Sequence, residues 1–129
     1  MNQLEFYRAK LAYEIDSWDV VERLRQGDAL QLVDGRSADA FAAETLPGAI
    51  NLPRPLTADS AAQLPRDRLL VTFCDGIGCN ASTKAALKLT ELGFDVKELQ
   101  GGLDWWKRDG YATTVTPGAP VPCGCGGME

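Results

Sequence analysis

Leu69-Leu70-Val71-Thr72-Phe73-Cys74-Asp75-Gly76-Ile77-Gly78-Cys79-Asn80-Ala81-Ser82-Thr83-Lys84 runs from a short apolar segment, through a cysteine and a glycine-containing loop, into the start of a helix. Leu69 to Phe73 has the pattern of a central parallel strand buried on both faces. A thiol at the end of such a strand meets the unpaired N–H groups of the following helix's first turn. Those groups and the helix dipole favour the thiolate, which is the nucleophilic form of cysteine. Cys74 is therefore the candidate nucleophile. Apolar flanks alone would suggest an inert buried thiol, but the glycine loop and the helix start argue against that.

Upstream, Leu4, Tyr7 and Leu11 recur at helical spacing, so residues 1–12 read as an N-terminal helix or arm. Tyr13-Glu14-Ile15 reads as a brief strand. Asp16 or Ser17 can cap a helix from Trp18 to Gln26, with Val20, Val21 and Leu24 facing inward and Gly27 as its stop. Leu30 to Asp34 is a second strand, with Asp34 and Arg36 at its C-terminal end. A short helix begins at Ser37 or Asp39 and runs through Phe41 and Ala42. Leu46-Pro47-Gly48 is a turn signal before the small strand Ala49-Ile50-Asn51. Pro53, Pro55 and Pro65 interrupt the next stretch, where only Ala58 to Leu64 looks helical.

Downstream, Ala81 or Ser82 to Leu92 is the clearest helix, ended by Gly93. Val96 to Leu99 is a strand, and Gly101-Gly102 opens a last helix that carries Trp105 and Trp106. After Tyr111 the chain turns Thr-, Pro- and Gly-rich and includes Cys123 and Cys125. The expected division is thus an arm over 1–12, one α/β domain over 13–111 and a flexible tail over 112–129. Strands alternating with helices argue for an open parallel sheet with helices on both faces. In such folds the chemistry collects beyond the carboxyl ends of the strands, where Asp34, Arg36 and Cys74 all lie.

The totals set bounds on function. A chain of 129 residues, 45% hydrophobic and 24% charged, is one globular domain with a full core. A net charge of -5 without a basic block argues against a nucleic-acid binder. No apolar run reaches membrane-span length and no signal-peptide pattern opens the chain, so the expected setting is the cytosol, away from membranes. Histidine is absent, which removes Cys–His and Ser–His catalysis and every His-containing metal site. No metal or other cofactor is expected.

The order of motifs resembles the rhodanese homology domain over most of Tyr13 to Tyr111. The resemblance is carried by Leu32-Val33-Asp34-Gly35-Arg36, by Leu46-Pro47-Gly48-Ala49-Ile50-Asn51-Leu52-Pro53, by the strand–Cys–loop–helix stretch, and by Gly101-Gly102, Trp106 and Gly110 within the segment from Phe94. It implies a five-stranded parallel sheet and a sulfurtransferase or sulfane-sulfur carrier. In such a protein Cys74 would take up sulfur as a persulfide and pass it to a thiol or other nucleophilic acceptor, a covalent two-step reaction. The implied cradle is Asp75, Gly76, Ile77, Gly78, Cys79 and Asn80, with Asp34 and Arg36 as a supporting pair. The implied partners are a small sulfur donor and a thiol acceptor, which can be a protein.

Three departures refine this expectation. Thr45 stands where the family often has histidine. The loop reaches its helix only near Ala81, later than is usual in the family. It also carries Asp75 and no Lys or Arg before Lys84, so a dianion such as thiosulfate should bind less well than to a basic loop. The same departures leave open a non-catalytic or redox-sensing module built on Cys74 and Cys79. A phosphatase or arsenate reductase would need a loop arginine and ranks lower. Cys79 can resolve a persulfide or sulfenic acid on Cys74, or it can simply fill the underside of the loop; loop conformation decides whether the two sulfurs meet. Cys123 and Cys125 are candidate redox or acceptor thiols that fall short of a full zinc ligand set. Asp34 and Arg36 fit a bracing role better than substrate binding.

Overall fold

The computed structural model describes residues 1–116. Its centre is a five-stranded, all-parallel sheet. The strands are β1 (Glu14–Ile15), β2 (Leu30–Asp34), β4 (Ile50–Asn51), β5 (Leu69–Phe73) and β6 (Val96–Leu99), in the spatial order β1-β6-β5-β2-β4. The central position of β5 explains its composition, since Leu70, Val71, Thr72 and Phe73 are all fully buried. Side chains alternate between the faces of a strand. Val71 and Phe73 join Leu32, Leu99, Leu103 and Trp106 in one core, while Leu70 packs with Val33, Ala85, Leu89 and Phe94 in the other. Thr72, polar yet buried, donates its hydroxyl to the Ser82 carbonyl at 3.0 Å. That bond satisfies the buried group and ties the strand to the start of α5 (Ala81–Glu91).

The helices follow their sequence signals closely. In α2 (Ser17–Arg25) the Asp16 side chain accepts from the Asp19 amide, and in α3 (Ala38–Ala43) Ser37 accepts from Ala40. Helix α4 is shorter than the expected Ala58 to Leu64 and covers only Ala58–Ala61, opened by a Thr57/Ser60 capping box. Helix α1 (Gln3–Tyr13) runs one residue past the expected arm and buries none of its residues, so its Leu4, Tyr7 and Leu11 face outward. Leu24 is also 41% exposed, against the expectation that it faces inward, while Val20 is fully buried. The last helix is α6 (Gly102–Arg108), whose Trp106 is core and whose Trp105 is not.

The expected tail over 112–129 is corrected at its start. Thr114–Val115 forms β7, which pairs antiparallel with β3 (Glu44–Thr45). Trp106 anchors the segment leading there, donating its indole N–H to the Ala112 carbonyl at 2.9 Å. Cys123 and Cys125 lie outside the described residues. Among the described residues no helix is long and apolar enough to cross a membrane.

Candidate active site around Cys74

Cys74 follows directly on β5 and is 1% exposed. Its loop is held from below by neighbouring strand ends. The Gly35 amide, just beyond β2, donates to the Phe73 carbonyl at 2.9 Å. From β6 the chain turns at Gly101 and Gly102, and the first amides of α6 meet the loop: Leu103 N–H donates to the Cys74 carbonyl at 2.9 Å and Asp104 N–H to that of Asp75 at 2.8 Å. This contact explains Gly102. A Cβ on Gly102 would stand 2.3 Å from the Cys74 carbonyl oxygen, and Gly102 adopts a positive φ of 57°. Gly102 thus serves the cysteine loop as much as the helix it opens, a role that the sequence alone did not reveal, while a Cβ on Gly101 would meet the Trp105 side chain.

Within the loop, the Sγ atoms of Cys74 and Cys79 are bonded as a disulfide, with their Cα atoms 6.3 Å apart. The Cys79 amide donates to the Gly76 carbonyl at 3.2 Å, closing a tight turn. Ile77, Gly78 and Asn80 are exposed, while Asp75, Gly76 and Cys79 are half-buried. Helix α5 begins at Ala81 with no side-chain cap from Asn80. The loop therefore spans the full stretch from Cys74 to Asn80.

Arg36 links the loop to β2. Its guanidinium binds the carboxylate of Asp34, with Nε to Oδ1 at 3.0 Å and Nη2 to Oδ2 at 2.8 Å, and its Nη1 reaches Asp75 Oδ1 at 3.3 Å. Nη2 also donates to the Glu44 carbonyl. The Asp34 and Arg36 side chains are 0% and 4% exposed. Burial by itself would lower the Arg36 pKa, but the hydrogen bonds and charge of Asp34, and then of Asp75, outweigh it and raise the pKa above its ordinary value. The loop segment has no cation of its own, yet a fixed guanidinium from a neighbouring strand end is spent on Asp75. Thr45 donates its hydroxyl to Asp34 Oδ2 at 2.8 Å. Asn51 completes the brace, its side-chain amide donating to the carbonyls of Asp34 and Arg36 at 3.1 and 3.0 Å.

On the other side of the loop, Cys79 and Gly76 line a cleft of about 530 Å³ together with Ser17, Ser82, Glu98 and Trp105. Glu98 is held by the hydroxyls of Ser82, at 2.8 Å, and of Thr83. Glu14, Asp16 and Asp109 also border this space, against Lys10 as a basic neighbour, so its character is acidic. Among the described residues the buried Ser17 hydroxyl has no hydrogen-bond partner. Nothing in the local sequence around Ser17, Glu98 or Trp105 marked them as cleft residues, because the β1–β6 and β5–β6 pairings and the α6 amides bring those segments beside the loop. Among the described residues, no group of His, Cys, Asp and Glu is arranged to hold a metal ion.

Comparison with known proteins agrees with this architecture. The chain is 36% identical over 99 residues to the HTH-type transcriptional regulator Rv0324 of Mycobacterium tuberculosis, an alignment that covers 77% of the chain and 43% of that protein. The chain thus spans less than half the length of this relative. It is 32% identical over 106 residues to a protein named Sulfurtransferase from Allochromatium vinosum, across 81% of the chain and 97% of that protein. The crystal structure of the BH2092 protein from Bacillus halodurans superposes with a TM-score of 0.81 at 34% identity, covering 94% of this chain and 93% of that one. A family model for the Rhodanese-like domain matches residues 17–109, from the first residue of α2 to the residue after α6, and the chain belongs to that family.

Proposed function

We propose that the chain is a sulfurtransferase or sulfane-sulfur carrier in which Cys74 is the nucleophile. The observation that carries this reading is the position of Cys74 at the carboxyl end of the central strand, on a loop clamped by the α6 amides and by Arg36, in a chain of the rhodanese-like family. The name of the Allochromatium relative supports the same class of reaction. In the reduced chain the Cys74 thiolate attacks the outer sulfur of a donor, and the donor's remainder leaves with the bonding electrons. The resulting persulfide then yields its outer sulfur to an acceptor thiolate. In the disulfide form Cys74 has no thiolate, so this cycle starts from the reduced protein.

The acidic cleft bears on the donor. Carboxylates of Glu14, Asp16, Glu98 and Asp109 around the cleft repel a compact dianion such as thiosulfate, whereas the reacting end of a small thiol's persulfide carries at most one negative charge. A persulfide is therefore the proposed donor, and a cytosolic setting rich in reduced thiols would supply acceptors. The test uses the reduced Cys79→Ser variant with Cys123 and Cys125 also replaced by serine, so that Cys74 is the one thiol left to react. Anaerobic incubation with one equivalent of glutathione persulfide, followed by intact mass measurement, should show one added sulfur atom. The same variant with Cys74→Ala added should show none. Absence of the adduct from the variant that keeps Cys74 would overturn the proposal.

A further inference from the structure

We infer that Cys79 resolves the Cys74 persulfide within the chain and thereby releases the sulfur as hydrogen sulfide, so that the chain acts as a persulfide reductase as well as a carrier. This rests on the proposed persulfide at Cys74. The structure joins the two Sγ atoms directly while the surrounding strand ends hold the loop. The sulfur of Cys79 therefore reaches the atom that it must attack.

The step balances without an outside reagent. The Cys79 thiolate attacks Cys74 Sγ, forming the Cys74–Cys79 bond. The bond between Cys74 Sγ and its sulfane sulfur breaks, and hydrosulfide leaves with the bonding pair. The two cysteine sulfurs together lose two electrons and the sulfane sulfur gains them. The product is the disulfide seen in the structure, and a dithiol reductant returns it to two thiols while becoming a disulfide itself.

Burial gives each sulfur a different part in the cycle. In the disulfide form Cys74 is 1% exposed, so an external thiol has little access to its Sγ there, while in the reduced form Cys79 is held in the same loop at high effective concentration. In the resulting disulfide, Cys79 is the half-buried partner and borders the open cleft of about 530 Å³. A reducing dithiol therefore attacks Cys79, forms its mixed disulfide there and sets free the Cys74 thiolate, ready for another donor. A cysteine that only filled the underside of the loop would need neither the cleft nor the bond.

With Cys123 and Cys125 replaced by serine throughout, the test compares the reduced, reductant-free chain with its wild-type loop, here the wild type, with Cys79→Ser and Cys79→Ala, each loaded anaerobically with one equivalent of glutathione persulfide. Near-ultraviolet circular dichroism checks that each is folded. The wild type should release close to one sulfide per sulfur taken up and should arrive at the mass of the intramolecular disulfide. Both variants should hold the added sulfur and release at least roughly tenfold less sulfide in the same time. Added dithiothreitol should restore wild-type turnover for further rounds. If the wild type keeps the added sulfur as long as the variants do, resolution by Cys79 is wrong while the carrier reading stands. If the folded variants take up no sulfur, the carrier reading fails and this inference fails with it.

Discussion

Arg36 is the residue on which the geometry of the loop converges, because one guanidinium ties Asp34, the Glu44 carbonyl and Asp75 together. Removing one partner of a buried ion pair leaves an uncompensated charge, which costs about 3–5 kcal/mol. Arg36→Ala should lower the urea-unfolding free energy by that amount, read from the fluorescence of buried Trp106. Arg36→Lys should recover only part of the loss, since an ammonium cannot make the forked contact to Asp34 while also reaching Asp75. Full recovery by lysine would show that charge alone matters there. The pairing of Asp34 with Arg36 was legible from Asp-x-Arg at a strand end. The reach to Asp75 was not, because sequence distance says nothing of which strand ends lie side by side. Gly102 shows the same limit: two glycines before a helix mark an opening, but the Cys74 carbonyl 2.3 Å from a would-be Cβ is visible only in three dimensions.

Among the elements, the β3–β7 pair is the one the sequence hid. Each strand has two residues, too few for any alternation to register, and Thr113 to Thr116 borders a Pro- and Gly-rich stretch. By contrast β5 and α5 were readable because burial on both faces and a helical stripe leave long patterns. The small pair depends on Glu44, whose carboxylate accepts from the Thr113 hydroxyl at 2.7 Å and from Lys107 at 3.1 Å. Burial would raise its pKa, but the bonds from Thr113 and Lys107 and the charges of Lys107 and Arg36 bring it below the ordinary 4.5. A carboxylate with a depressed folded pKa stabilises fully above its unfolded value, and that contribution is lost as pH falls through the folded value. Protection of the Thr116 amide, which donates to the Ala43 carbonyl at 2.9 Å, should therefore weaken below about pH 4.5 after correction for intrinsic exchange. Glu44→Gln should cost about 0.5–1 kcal/mol at neutral pH and flatten this dependence. An unchanged pH profile in the variant would remove Glu44 from the explanation.

At the scale of the whole molecule, the resolution cycle requires that the dithiol and disulfide forms share one fold. The two cores lie on opposite faces of the sheet and are built from residues other than the cysteine pair, so packing does not depend on the bond. Nor do the clamps on the loop: the α6 amides bind main-chain carbonyls and Arg36 binds carboxylates, all present in either state. What reduction removes is chiefly the constraint on the unfolded chain. For a separation of 5 residues loop-closure entropy puts that at no more than about 2 kcal/mol. Reduction should accordingly leave a single cooperative thermal transition and lower Tm by less than about 10 °C. Calorimetry with and without dithiothreitol measures this directly. A reduced protein without a cooperative transition would mean that the disulfide is structural, and Cys74 would then be unable to alternate between nucleophile and bonded partner while the fold stands.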